Sequence, residues 1–141
     1  DSNPLLRGAL FGLTLGTTPP MVYKALVEST VFGTRAIFER FKEQKLEIKS
    51  IKATGGIAKK SPFVMQSCAD ALNIPISIVN SDQTCALGAA MFGAVASGVY
   101  PDLRSAQKAM ESGCSKVYMP QRNCDERYAL YCKYARAIEN I

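Results

Sequence analysis

From about Pro20 to Gln44, apolar residues recur at helical spacing. Val27, Val31, Phe38 and Phe41 fall on one stripe, and the small residues Ala25, Ser29, Gly33 and Ala36 fall on a second. The paired prolines of TTPP suit the start of this helix, because the first turn has no use for their missing N–H groups. Its two stripes predict a helix covered on two sides. The stretch IKSIKATGG, residues 48–56, alternates Ile48, Ile51 and Ala53 with polar groups and predicts a strand that ends in glycine. Ser61-Pro62 opens a second helix to about Leu72, and ISIV, residues 76–79, predicts a second strand. A third helix is expected over Gln83–Ser97, capped by Ser81 or Asp82 and closed by Gly98. It carries a small-residue face of Ala86, Ala90, Gly93, Ala94 and Ser97 and a larger apolar face of Leu87, Met91 and Val95. Further helices are expected near Leu103–Ser112 and Asp125–Glu139. The order helix, strand, helix, strand, helix predicts an α/β fold with a short parallel sheet and flanking helices, since crossovers of this length favour parallel strands. Residues 1–19 form an apolar lead-in with Gly8, Gly12 and Gly16.

Composition narrows the classes. With 141 residues, 48% hydrophobic and 21% charged, the chain suits one domain with a core and not a disordered segment. The longest apolar run, ALGAAMFGAVA at 86–96, is too short to cross a bilayer, so no membrane partner is expected. The net charge of +5 is spread along the chain, and the basic patches lack interleaved aromatics, so solvated helix faces explain it better than a nucleic-acid partner. The chain has five cysteines, no CxxC and no histidine. That pattern argues against a structural zinc site and a disulfide framework, and it removes histidine-dependent nucleophilic catalysis. Cys68 and Cys85, among apolar neighbours, are expected as small core residues with reduced thiols in a cytoplasmic setting. The opening residues show no basic stretch followed by an apolar one, so a secretory leader is not expected. The chain starts at Asp1 and runs directly into an apolar stretch, which suggests a piece of a longer protein.

The chemistry concentrates in ATGGIAKKSPFVMQS, residues 53–67. A strand ending in Gly55-Gly56 and turning into a helix places bare amides where an anion is favoured. Glycine also lets a phosphate or a flat base approach the backbone closely, and in parallel α/β folds ligands sit beyond the carboxyl ends of strands. The spacing is neither GxGxxG nor GxxxxGK[ST], so dinucleotide-fold and P-loop readings fail, and a plain tight turn beside two solvated lysines remains the alternative.

The surrounding residues add a resemblance. Residues 54–76, TGGIAKKSPFVMQSCADALNIPI, and 81–98, SDQTCALGAAMFGAVASG, resemble the C-terminal domain of the FGGY carbohydrate kinases. The shared pattern is Gly55, Gly56, the Lys60-Ser61-Pro62 step, Gln66, Ala69, Asp70 and Ala86 through Ala90. The opening is similar to a second family signature at Gly8, Leu10, Gly12, Leu13, Val22, Ala25, Val27 and Glu28, with Met21 and Leu26 departing from it. Residues 28–41, 81–92 and 105–110 are most similar to the members that phosphorylate the ketopentose ribulose.

The resemblance implies an RNase-H-like domain of the actin-like ATPase superfamily, with residues 1–141 forming the latter part of the nucleotide-binding domain. It implies ATP and Mg²⁺ as cofactors, with the metal held mainly by segments outside these residues. It also implies a ketose sugar bound by another domain, which supplies the general base. Gly55, Gly56, Ile57, Lys60 and Ser61 are the nucleotide-site candidates it implies, with Ser61 competing as a helix cap and Lys59 and Lys60 competing as solvated lysines. Asp70, mid-helix and beyond the turn, is expected to be structural, and no catalytic or metal-binding residue is expected here. The segment alone is expected to be inactive and to self-associate.

Overall fold

The computed structural model describes residues 8–139, with the side chain of Glu139 left aside; the first part of the expected apolar lead-in, residues 1–7, lies outside that range. Six helices and three strands follow in the order α1 (Pro19–Glu43), β1 (Ile51–Ala53), α2 (Gly56–Lys60), α3 (Pro62–Leu72), β2 (Ile76–Val79), α4 (Thr84–Ala96), α5 (Leu103–Met110), β3 (Cys114–Tyr118) and α6 (Asp125–Glu139).

The first helix begins at the proline pair as expected, with Thr18 in extended geometry at its N-cap. Its inward stripe differs from the periodic reading. Val31 and Phe32 are buried, Val27 and Phe38 pack at the margins, and Phe41 is exposed. Phe32 turns inward because α6 lies there: its ring sits 5.8 Å from Tyr128 and 5.6 Å from Tyr131, centroid to centroid. The small stripe has its expected purpose at Gly33, where a Cβ would lie 3.9 Å from the Tyr131 hydroxyl. Arg35 fastens the two helices, donating to Asp125 at 2.5 Å and lying 4.3 Å over the Tyr128 ring. Arg127 of α6 forms a forked pair with Glu28 of α1.

The sheet is mixed. Strands β1 and β2 pair in parallel, Ile51 opposite Ile76 and Ala53 opposite Ile78, as the crossover reading required. The first strand is shorter than its alternating pattern, because residues 48–50 pair with no neighbour. The third strand was not expected. It runs antiparallel to β2, with Ile76 opposite Tyr118 and a bulge at Ile78/Val79, so the sheet is not purely parallel. Its sequence CSKVY buries only Tyr118, which leaves too little alternation for a strand signal.

The core lies between this sheet and α3. Met65, Ala69 and Leu72 of the helix meet Ile76, Ile78 and Tyr118 of the sheet, with Ala58 of α2 closing one end. On the other side of α3, Ala71 joins Val31 and Phe32 in a second cluster. The helix starts at Pro62, whose missing N–H ends the preceding hydrogen-bond ladder, and stops at Asn73, which takes the left-handed conformation (φ 52°). In α4 the larger face turns inward, with Met91 buried and Leu87 and Val95 half-buried, while Ala86, Ala90 and Gly93 are exposed. Cys68 is half-buried, and burial pushes its thiol pKa up. Cys85 is exposed, which corrects its expected place in the core: the exposed side of α4 has no partner among the described residues.

Candidate functional site

The glycine turn sits at the carboxyl end of β1. Gly55 has φ 91° and ψ 178°, a conformation nearly restricted to glycine, and there the chain leaves the strand and enters α2. Gly56 is the first residue of α2, and its φ lies outside the left-handed range. A Cβ built on either glycine meets nothing within 4 Å. Both glycines are exposed, no described residue stands where their Cβ atoms would be, and Ile57, 66% exposed, extends the open shelf.

The second helix, α2, was not anticipated as a separate element. The chain makes one short helix over Gly56–Lys60, breaks at Ser61, and starts again at Pro62. Ser61 closes the first and opens the second. Its N–H donates to the Ile57 carbonyl at 3.0 Å, and its Oγ accepts from the Val64 N–H at 3.4 Å. The cap role of Ser61 is thus realised, while its hydroxyl hydrogen is given to no described protein group.

The two lysines separate cleanly. Lys60 is exposed and pairs with no carboxylate among the described residues. Lys59 is exposed too, but its ammonium is engaged. Its Nζ donates to the Asn80 carbonyl at 2.6 Å and forms an ion pair with the Asp82 carboxylate. Those acceptors sit on the loop after β2, the second parallel strand, so the lysine joins the loops at two neighbouring strand ends. The same loop is fixed from its far side. Asn80 donates through Nδ2 to the Ser112 carbonyl at 2.9 Å and through its backbone N–H to Gly113 at 3.0 Å. The Ser81 N–H donates to the Ser112 hydroxyl at 3.1 Å. Lys59 holds the Asp82 carboxyl below the usual carboxylate range, first through the hydrogen bond and then through its charge.

This arrangement corrects the expected cap of α4. The N-cap position is Gln83, without a side-chain bond; the Ser81 hydroxyl accepts from the Gln83 N–H at 3.2 Å, and Asp82 is engaged by Lys59. The SDQT stretch looks like a helix-start signal, and nothing in its local sequence reveals that its acid faces a lysine 23 residues earlier.

Asp70 lies elsewhere, near the end of α3, and is buried at 8% exposure. Its Oδ1 accepts from Gln66 Nε2 at 2.7 Å and from the Gln121 N–H at 2.8 Å, while Gln66 also donates to the Met119 carbonyl at 2.8 Å. The Gln-x-x-Ala-Asp pattern therefore pins the segment after β3 onto α3, as its structural reading anticipated. A cavity of about 220 Å³ borders this junction and is lined by Asp70, Asn73, Gln121 and Arg122 among others; it does not reach the glycine turn. Among the described residues, no group of three or more potential ligands is arranged to hold a metal ion.

Comparison with known proteins gives this geometry its context. Residues 1–97 match the model of the FGGY family of carbohydrate kinases, C-terminal domain. A ribulokinase of Vibrio parahaemolyticus is 46% identical over 144 residues, covering 99% of this chain and 25% of its own length. A ribulokinase of Bacillus licheniformis is 42% identical over 134 residues, covering 92% of this chain and 24% of its own length. Among solved structures, a ligand-bound xylulose kinase from Lactobacillus acidophilus superposes with a TM-score of 0.81 at 29% identity, over 94% of this chain and 27% of that one. The chain thus spans about a quarter of the length of the curated relatives it matches. With the family model covering more than half of the residues and these relatives nearly all of them, the chain belongs to the FGGY family of carbohydrate kinases.

Proposed function

We propose that residues 1–141 form the ATP-binding portion of a kinase that transfers the γ-phosphate of ATP to a hydroxyl of a ketopentose, converting ribulose to ribulose 5-phosphate in the cytoplasm. The observation that carries this reading is the uncovered Gly55-Gly56 backbone beyond the carboxyl end of β1, within a chain of this family. A ligand could approach that backbone to van der Waals distance, since neither glycine has a neighbour where a Cβ would stand. In this reading Gly55, Gly56 and Ile57 present the surface against which the nucleoside and its first phosphate rest. Lys60 is the cation free to turn toward phosphate, and the Ser61 hydroxyl has a hydrogen to donate while it caps α3.

Bound Mg-ATP supplies the phosphoryl group and the metal charge that offsets developing negative charge on it. The part of these residues is positioning, which carries most of the catalysis in phosphoryl transfer. The chain contains no histidine, and the carboxylate buried among the described residues, Asp70, is engaged by Gln66 and Gln121. We accordingly assign the general base, the sugar contacts and most of the metal contacts to a companion domain of the complete kinase.

The likeness to a xylulose kinase supports a second reading, in which another ketose is the acceptor. The higher identity to ribulokinases favours ribulose. Steady-state kinetics of the complete kinase with Mg-ATP and a panel of ketoses tests both, the expected outcome being the highest kcat/KM for ribulose. A preference for xylulose transfers the assignment to the second reading. Nucleotide binding without phosphorylation of any ketose contradicts both and leaves a nucleotide-binding module.

A further inference from the structure

We infer that Lys59 is a positioning residue for the nucleotide turn, acting through Asp82 and Asn80 and not through contact with phosphate. The inference rests on the proposed placement of the nucleotide at Gly55-Gly56.

The helix α2 is only five residues long, and Gly55 at its head has φ 91°. A short helix between a left-handed glycine and a proline break has little stability of its own. Ala58 anchors one side of it in the core. Lys59 anchors the other, reaching across to the loop after β2, where its ammonium meets the Asn80 carbonyl at 2.6 Å and the Asp82 carboxylate. That loop is itself bound to Ser112 and Gly113 between α5 and β3. The result is a connected brace from the glycine turn through two strand ends to the far loop. The side chain of Lys59 is 28% exposed, against 82% for Asp82, so the lysine stem packs while its partner reaches it from the solvent side. With both acceptors of the brace in place, the ammonium is engaged by protein groups. Lys60, the neighbour without such partners among the described residues, is the cation left for an anion.

Three substitutions in the complete kinase test this. Lys59→Met removes the brace and is expected to raise the KM for ATP about tenfold, since displacing a binding turn by a fraction of an ångström to an ångström has effects of that order or more. The kcat at saturating ATP and the KM for the sugar are expected to stay within about twofold, because the reacting groups are untouched. Lys59→Arg, which can reach the same acceptors, is expected to restore the KM to within about threefold of the parent. Asp82→Asn, at an exposed side chain that folding tolerates, is expected to raise the ATP KM by a smaller factor, and Lys59→Met combined with Asp82→Asn to be no worse than Lys59→Met alone. Unchanged ATP KM in both Lys59→Met and Asp82→Asn overturns the inference. Additive effects in the combined variant, or a drop in kcat confined to the lysine substitution, also overturn it, because they would mark a direct phosphate contact. Gly56→Val serves as the control: if it raises the ATP KM and Lys59→Met does not, the brace is wrong and the site stands; if neither does, the site itself is misplaced.

Discussion

Replacing Asp70 separates a structural carboxylate from a catalytic one. In the structure its Oδ1 accepts two hydrogen bonds, from Gln66 at 2.7 Å and from the Gln121 N–H at 2.8 Å, at a position only 8% exposed. Hydrogen bonds to charged groups contribute about 1.5–3 kcal/mol each, and an orphaned buried donor costs about 1–3 kcal/mol. Gln66 keeps a partner in the Met119 carbonyl when the carboxylate is removed, whereas the Gln121 N–H does not. Asp70→Ala is therefore expected to destabilise the chain by about 3–4 kcal/mol, below the sum of two full losses. For a chain of this length the unfolding entropy is about 0.3 kcal/mol per degree, so Tm should fall by about 10 °C. Asp70→Asn preserves one acceptor oxygen and should cost about 1 kcal/mol. The assay is thermal unfolding of the 141-residue chain by circular dichroism, at matched protein concentrations so that association does not shift the comparison. A Tm for Asp70→Ala within about 2 °C of the parent would refute the reasoning, because two part-buried bonds to a buried carboxylate cannot vanish without a thermal signature.

Gly55→Ala forces a side chain into φ 91°, ψ 178° and is expected to cost about 1–3 kcal/mol, whereas Gly56→Ala should leave the chain's stability nearly unchanged; equal effects in urea unfolding would mean that strain does not distinguish them. The isolated chain is expected to self-associate, since Leu13, Leu15, Ile57, Phe92 and Val99 are all more than half exposed and β1 stands at the edge of the sheet. Light scattering at micromolar concentration checks this, and a clean monomer with cooperative unfolding would contradict it. Tyr128 has its pKa pushed up to about 12 by burial and then by its bond to Cys132, against an ordinary 10.0. Its neutral form is favoured in the fold, so its contribution to stability is complete below about pH 10 and is lost as pH rises through about 12. An alkaline ultraviolet titration should show one of the six tyrosines ionising late, and a single wave near 10.0 would count against the packed α1–α6 contact.

The readable parts of the fold were those governed by local periodicity. The proline pair that opens α1, the Ser61-Pro62 start of α3 and the ISIV strand each declare themselves within a few residues, and all three occur as expected. The unreadable parts depend on distant partners. Phe32 is buried because α6 arrives beside it, and Phe41 stays exposed beside the Phe38 ring of its own helix, yet helical spacing alone ranks Phe41 higher. CSKVY becomes a strand through pairing with β2, since its own residues alternate too weakly to demand one. At the candidate site, glycines announce an open turn because few other reasons place two of them at a strand end. The tasks of the two lysines could not be told apart, because the partner of Lys59 lies on another loop and Lys60 has none among the described residues.

The central claim is that a nucleotide lies against the Gly55-Gly56 backbone. Gly56→Val probes it most directly, because among the described residues no atom lies within 4 Å of the added Cβ and no left-handed φ is needed, so ligand is what it would displace. In the complete kinase we expect the KM for ATP to rise by about tenfold or more, with a smaller change in the KM for the sugar. An ATP KM equal to that of the parent enzyme would remove this turn from the site.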